Sequence, residues 1–176
     1  MAKLIINNFT QFDIFLIQHI LSWNGKRTID RIFFWISRSG DGYLYGLVGI
    51  ALLCINNPII HKLLAAALTA FALELPIHKL MKIWIKRERP FKGVPGITFL
   101  IAPPDKYSFP SGHTGAAFLM ASLFGFAFPP LQVVLYVWAT LVGFSRIYLG
   151  VHYPTDVIAG MVLGVLCSQF GIWLFF

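Results

Sequence analysis

Carboxylates and thiols are both scarce in this chain, with 7 Asp and Glu and 2 Cys among 176 residues. Cys54 and Cys167 each fall inside an apolar run, where they read as small hydrophobes. They exclude a disulfide framework, and no carboxylate or Cys cluster of the kind a metal requires is present. Charge of either sign is also rare: 12% of residues are charged, 57% are hydrophobic, and the mean hydropathy is +0.73. That balance excludes an ordinary soluble domain and reads as an integral membrane protein, with a single domain over 1-176 as the natural expectation. The N-terminus lacks a cleavable signal pattern, because Asn7, Asn8, Gln11 and Asp13 interrupt it, so it is expected to remain on the mature protein. No internal repeat is visible. Nucleic acid is excluded as a partner, since little surface is left outside a bilayer, and no obligatory protein partner is indicated.

What the chain does have is positive charge, 14 Lys and Arg for a net +7, concentrated mostly outside the apolar runs. Such charge beside a membrane either sets topology or binds anionic headgroups and phosphate.

The apolar periodicity predicts an all-α membrane bundle of about five transmembrane helices over 42-176, preceded by interfacial helices over 1-41. Phe9, Phe12, Phe15, Leu16, Ile20 and Trp23 share one side of a helix over Phe9 to Trp23, with Gln11, Asp13, Gln18 and Ser22 elsewhere, which is the pattern of an interfacial helix. A second helix is predicted over Thr28 to Ser37. The candidate spans are Gly42 to Ile55, Ile59 to Leu80, Gly112 to Phe128, Leu131 to Leu149 and Thr155 to Phe176. The first and third are short for a bilayer. Glu74, Pro76, His78 and Lys79 require the end of the second to face protein or water. Asn56-Asn57-Pro58 and Phe128-Pro129-Pro130 read as tight turns, and Gly93 to Phe109 as the one long loop. Gly160 and Gly164 form a small-xxx-small pair expected to pack inside the bundle. Alternating the five spans puts the end of the second, the start of the third, the end of the fourth and the start of the fifth on one membrane face.

Those four places carry the polar residues. Lys82 and Arg89 are seven apart, a spacing that puts them on one face of a continuing helix, where Arg offers a planar fork to an oxyanion and Lys a point charge. Pro110-Ser111-Gly112-His113 sets Ser111 as an N-cap, lets a ligand approach the backbone at Gly112, and puts a proton donor in the first turn of a helix whose free N–H groups favour an anion. Ser145 to Asp156 carries Arg146, His152 and Asp156, with Pro154 suited to the first helical turn, so that Asp156 can reach back to His152. Read singly, these are a basic membrane flank, a capped helix with an interfacial His, and a cap with an incidental His. Together, three cations, a hydroxyl, backbone donors, two His and one Asp suit attack on a phosphoryl group.

The three segments reproduce, in order, Lys-x6-Arg-Pro, Pro-Ser-Gly-His and Ser-Arg-x5-His-x3-Asp. In this the chain resembles the type 2 phosphatidic acid phosphatase (PAP2) family, which shares its site with the vanadium haloperoxidases. The resemblance covers about a seventh of the sequence, without departure at any signature position. It implies that His152 is the nucleophile forming a phosphohistidine, that Asp156 orients it, and that His113 protonates the leaving group. It further implies that Lys82, Arg89, Ser111, Gly112 and Arg146 hold the phosphate, with no metal and no cofactor. The expected substrate is an envelope lipid phosphate: undecaprenyl diphosphate, phosphatidylglycerol phosphate, the 1-phosphate of lipid A, or phosphatidic acid. Lys86, Arg87, Lys92 and Lys106 are either a second phosphate or headgroup site or solvated loop charge. The resemblance places the site on the outer side of a bacterial inner membrane, against a simple count of basic residues. A vanadate-dependent haloperoxidase and a non-catalytic lipid binder or transporter are the rival readings.

Overall fold

The computed structural model describes residues 2–103 and 105–176, with side chains from residue 11 onward. It is helical throughout, with no strand among the described residues. The elements are α1 (Ala2–Leu21), α2 (Arg27–Ser39), α3 (Gly42–Leu53), α4 (Pro58–Ile85), a single turn α5 (Pro90–Gly93), α6 (Gly112–Ala127), α7 (Gln132–Tyr148) and α8 (Pro154–Phe175). A 3₁₀ turn at Pro129–Leu131 joins α6 to α7.

Each helix starts where the local chemistry directs. Asn57 caps α4 by accepting from the N–H groups of Ile59 at 2.8 Å and Ile60 at 3.4 Å, ahead of Pro58 in the first turn. At α8, Pro154 opens the helix and Asp156 accepts from the N–H of Tyr153 at 2.9 Å. That bond fixes the Asp156 carboxylate before any ligand is considered.

The second apolar run does not stop at Leu80; α4 continues through Lys82 to Ile85 and ends at Lys86, whose φ of +50° is left-handed. Arg89 therefore lies beyond the helix in extended backbone, and the expectation that it shares a helical face with Lys82 is incorrect. The two side chains meet through a loop carboxylate instead.

Three helical stretches, Pro58–Gly93, Pro129–Tyr148 and Pro154–Phe175, are long and apolar enough to cross a membrane. The 12 residues of α3 and 16 of α6 are shorter, about 18 and 24 Å at 1.5 Å per residue. Large apolar side chains such as Val133 and Trp173, each about three-quarters exposed, belong against lipid. The protein is an integral membrane protein.

At the centre, α6 packs against α4, α7 and α8, burying Ala117, Phe118, Leu119, Ala121 and Leu123. The glycine pair serves this packing. A Cβ on Gly164 would lie 2.1 Å from the Gly115 carbonyl oxygen, and one on Gly160 2.4 Å from that of Ser111. Backbone contact between α6 and α8 follows, and it seats Ser111 close enough for its N–H to donate to the Asp156 carbonyl at 2.9 Å.

On α1 the aromatic side is exposed, with Phe12 and Phe15 each more than half accessible, as is Trp23 in the turn that follows. Phe9 lies outside the residues whose side chains are described. The opposite side is not solvated: Asp13 and Ile17 are fully buried, Ile17 against Val94, Ile147 and Tyr153.

Candidate active site

The polar residues of the three motifs converge at one end of the bundle. Lys82 Nζ donates to Asp105 Oδ2 at 2.6 Å and to the Tyr107 carbonyl at 3.2 Å. Arg89, 1% exposed, donates through Nη2 to Asp105 Oδ1 at 2.7 Å, through Nε to the Asp105 carbonyl at 3.1 Å and through Nη1 to the Val151 carbonyl at 2.6 Å. Each oxygen of Asp105 thus takes one cation, so this carboxylate on the long loop stands as the anion between Lys82 and Arg89. Burial works to raise the Asp105 carboxyl, but the hydrogen bonds and charges of Lys82 and Arg89 outweigh it and hold it below the usual carboxylate range.

His152 is buried beside this pair. Its Nε2 lies 3.4 Å from Arg89 Nη1, and its Nδ1 lies 3.5 Å from Asp156 Oδ2, within ion-pair range but outside hydrogen-bond geometry. The chain reaches this arrangement through a turn at Gly150, φ +76°, after which the N–H groups of Val151 and His152 both donate to the Arg146 carbonyl at 3.2 Å. Arg146, 2% exposed, donates through Nη1 to Ser37 Oγ on α2 at 2.5 Å, and its Nε has no partner among the described residues.

Ser111 sits at the N-cap of α6, although its hydroxyl makes no capping bond and instead accepts from Thr114 Oγ1 at 2.9 Å. In the first turn, His113 Nε2 pairs with Asp41 Oδ1 at 2.9 Å, and Asp41 Oδ2 accepts from Arg38 Nη1 at 3.0 Å. His113 also lines two cavities. One, of about 570 Å³, is walled mainly by apolar side chains of α3, α4 and α6, including Leu53, Leu68, Phe71 and Met120. The other, of about 420 Å³, is lined by Ser37, Arg38, Asp41 and Arg146. An apolar chamber and a basic one therefore meet at an imidazole.

Of the cations assigned to either a headgroup site or solvated loop charge, Arg87 is neither. It donates to Asp13 Oδ2 at 2.5 Å and to Asp156 Oδ1 at 2.8 Å. Sequence reasoning also missed Asp13, Asp41, Asp105 and Ser37. The available signal was scarcity: in a chain this apolar, four of the seven carboxylates, Asp13, Asp41, Asp105 and Asp156, are held by the cations and histidines of this one end.

The His152 imidazole is held well below its ordinary range, first by burial and then by the positive charges of Arg146, Arg89 and Lys82, so Nε2 keeps its lone pair in mildly acidic solution. An unperturbed His is half protonated near about pH 6.5. The acid limb of kcat/KM set by this group is therefore expected well below that value, after correction for the substrate's own phosphate ionisation. A limb centred at or above pH 6.5 would contradict the burial and charge pattern seen around His152.

A helical membrane bundle that joins an apolar chamber to buried cations, an oriented imidazole and a helix N-terminus defines a membrane lipid phosphatase. Residues 62–176 match the family model of the PAP2 superfamily, and the chain belongs to that superfamily. It is 32% identical over 152 residues to an undecaprenyl-diphosphatase of Sulfolobus acidocaldarius, covering 82% of this chain and 70% of that protein. It is 41% identical over 104 residues to the decaprenylphosphoryl-5-phosphoribose phosphatase of Mycobacterium tuberculosis, covering 57% of this chain and 52% of the relative, so it spans about half of that protein's length. Among solved structures, LpxE of Aquifex aeolicus superimposes with a TM-score of 0.80 at 26% identity, over 90% of this chain and 93% of that one.

Proposed function

We propose that this chain hydrolyses the phosphate ester or anhydride of an envelope lipid through a phosphohistidine on His152. The observation that carries the reading is the orientation of that imidazole, with Nε2 toward the Arg89 guanidinium and Nδ1 toward Asp156. In the first step the Nε2 lone pair attacks phosphorus, the bond from phosphorus to the lipid oxygen breaks, and His113 gives its proton to that oxygen. In the second, water attacks the phosphohistidine, His113 takes the water proton, and the N–P bond breaks to release inorganic phosphate. Lys82, Arg89, Arg146, Ser111 and the first N–H groups of α6 at Gly112 hold the phosphoryl oxygens, and Asp105 yields Lys82 and Arg89 to the phosphate. The apolar chamber reaching His113 takes the start of the lipid chain.

Five spans in a single domain, with α3 and α6 crossing where the bilayer is thinned or their flanks assist, put the site on one face. That face is assigned to the outer side of a bacterial inner membrane. In support, Lys82, Arg87, Arg89 and Arg146 are all engaged by protein groups, so they do not count as free topology determinants. The substrate is drawn from polyprenyl diphosphates, phosphatidylglycerol phosphate, lipid A 1-phosphate and phosphatidic acid.

The test is phosphate release from those four lipids in detergent, paired with trapping of labelled protein under alkaline denaturation. Turnover of at least one lipid is expected, with a base-stable, acid-labile label on His152, inhibition by orthovanadate and none by EDTA. Turnover without labelled protein, or turnover lost to chelator and restored by a divalent ion, would sink the mechanism.

A further inference from the structure

A fully buried carboxylate on an otherwise interfacial helix requires a compensating partner, because desolvating an unpaired charge is costly. Asp13 on α1 has one. Its Oδ1 accepts from the Thr155 N–H at 3.0 Å, and its Oδ2 accepts from Arg87 Nη2 at 2.5 Å and from the Thr155 hydroxyl. Arg87 Nη1 donates to Thr155 Oγ1 at 2.6 Å and to Asp156 Oδ1 at 2.8 Å, and the guanidinium lies over the Tyr153 ring at 4.0 Å. One planar fork thus joins two fully buried carboxylates, and the second faces the nucleophile with its other oxygen, 3.5 Å from His152 Nδ1.

We infer that Arg87, fixed by Asp13 of the N-terminal helix, is a positioning residue for the His152–Asp156 pair. The inference rests on the phosphohistidine reading above. Arg87 and Asp13 are engaged by each other, by Thr155 and, for Arg87, by Asp156. Arg87 fixes Oδ1 of Asp156 and the Tyr153 N–H fixes Oδ2, so the carboxylate is held at both oxygens and presents one fixed lone pair to the imidazole. Lysine cannot replace this fork, since a point charge cannot serve two carboxylates and stack on Tyr153 in one geometry. The N-terminal helix therefore supports the back of the catalytic pair from outside all three motifs.

A misplacement of about 1 Å in a reacting pair can cost roughly 100-fold in rate. Arg87→Lys is accordingly expected to lower kcat about 10- to 100-fold while KM and the inhibition constant of inorganic phosphate, which binds without a bond to His152, stay within about twofold. Asp13→Asn keeps an acceptor for the Thr155 N–H but releases the guanidinium, and a roughly 3- to 10-fold loss in kcat is expected, again without change in the binding of inorganic phosphate. Because Asp13 acts through Arg87, the double variant should lose no more than Arg87→Lys alone. Guanidinium should restore part of the activity of Arg87→Gly, whereas ammonium should not.

Weakened binding of inorganic phosphate in step with kcat would make Arg87 a phosphate ligand and overturn the inference, as would additive losses in the double variant. If Arg87→Lys does not fold, Asp13→Asn decides alone: an unchanged kcat overturns the inference, and a reduced kcat with intact binding of inorganic phosphate supports it. A labelled wild type whose turnover survives Arg87→Lys overturns this inference only. A wild type that turns over without label on His152 overturns the underlying reading and this inference with it.

Discussion

Alanine in place of His152 is expected to lower phosphate release by roughly 10⁴- to 10⁶-fold, the scale on which an enzyme loses activity when its covalent nucleophile is removed. That corresponds to about 5 to 8 kcal/mol of transition-state stabilisation at 1.36 kcal/mol per decade. The loss is large because no neighbour can substitute. Asp156 is engaged by Arg87 and the Tyr153 N–H, and His113 is turned toward Asp41. Lys82 and Arg89 carry the cationic donors but no lone pair. Phosphate binding should survive, since the cations remain, so inhibition by inorganic phosphate measured beside residual turnover, or its binding by calorimetry, separates lost chemistry from lost fold. A variant retaining a tenth of wild-type turnover would remove His152 from the role of nucleophile.

The His113→Ala variant should lose about 10²- to 10⁴-fold, the usual contribution of a positioned acid, when the leaving group is a lipid alcohol. Measured as kcat/KM, which stops at formation of the phosphohistidine, the same variant should lose far less with p-nitrophenyl phosphate, whose leaving oxygen departs without a proton. A diphosphate should fall between, because the departing phosphate is a weaker base than an alkoxide. The graded loss is the diagnostic result, because a merely structural His would affect all three substrates equally. Its physical basis is position: His113 lines both the apolar and the basic cavity, and in the proposed reading the bond between lipid and phosphate lies between them. Equal loss of kcat/KM across the three leaving groups would reassign the proton donor.

The two largest effects thus fall on residues already legible in the chain. Both imidazoles, the cations Lys82, Arg89 and Arg146, and the helices that carry them follow from apolar runs, a few prolines and short motifs. Such features are readable because they are local: Pro154 starts α8 whatever surrounds it, and Asn57 caps α4 through bonds to its own next residues. Even the close packing of α6 on α8 was written in Gly160 and Gly164.

The partners of those residues were not legible, for the opposite reason. Asp105 bridges Lys82 and Arg89 across a loop, Asp41 reaches His113 from another helix, and Ser37 on α2 meets Arg146. The seven-residue spacing of Lys82 and Arg89 suggested a shared helical face, yet Lys86 turns left-handed and ends α4 between them. Spacing describes a helix only while the helix lasts.

By itself, then, the sequence determined that this is a helical membrane protein with its cations and imidazoles in three local motifs, because burial preference and turn chemistry act on neighbours in the chain. Only the tertiary structure decided which carboxylate answers which cation, and that α1 contributes Asp13 to the site. A buried charge takes whatever opposite charge the packing brings within reach, and that choice depends on helices far apart in sequence.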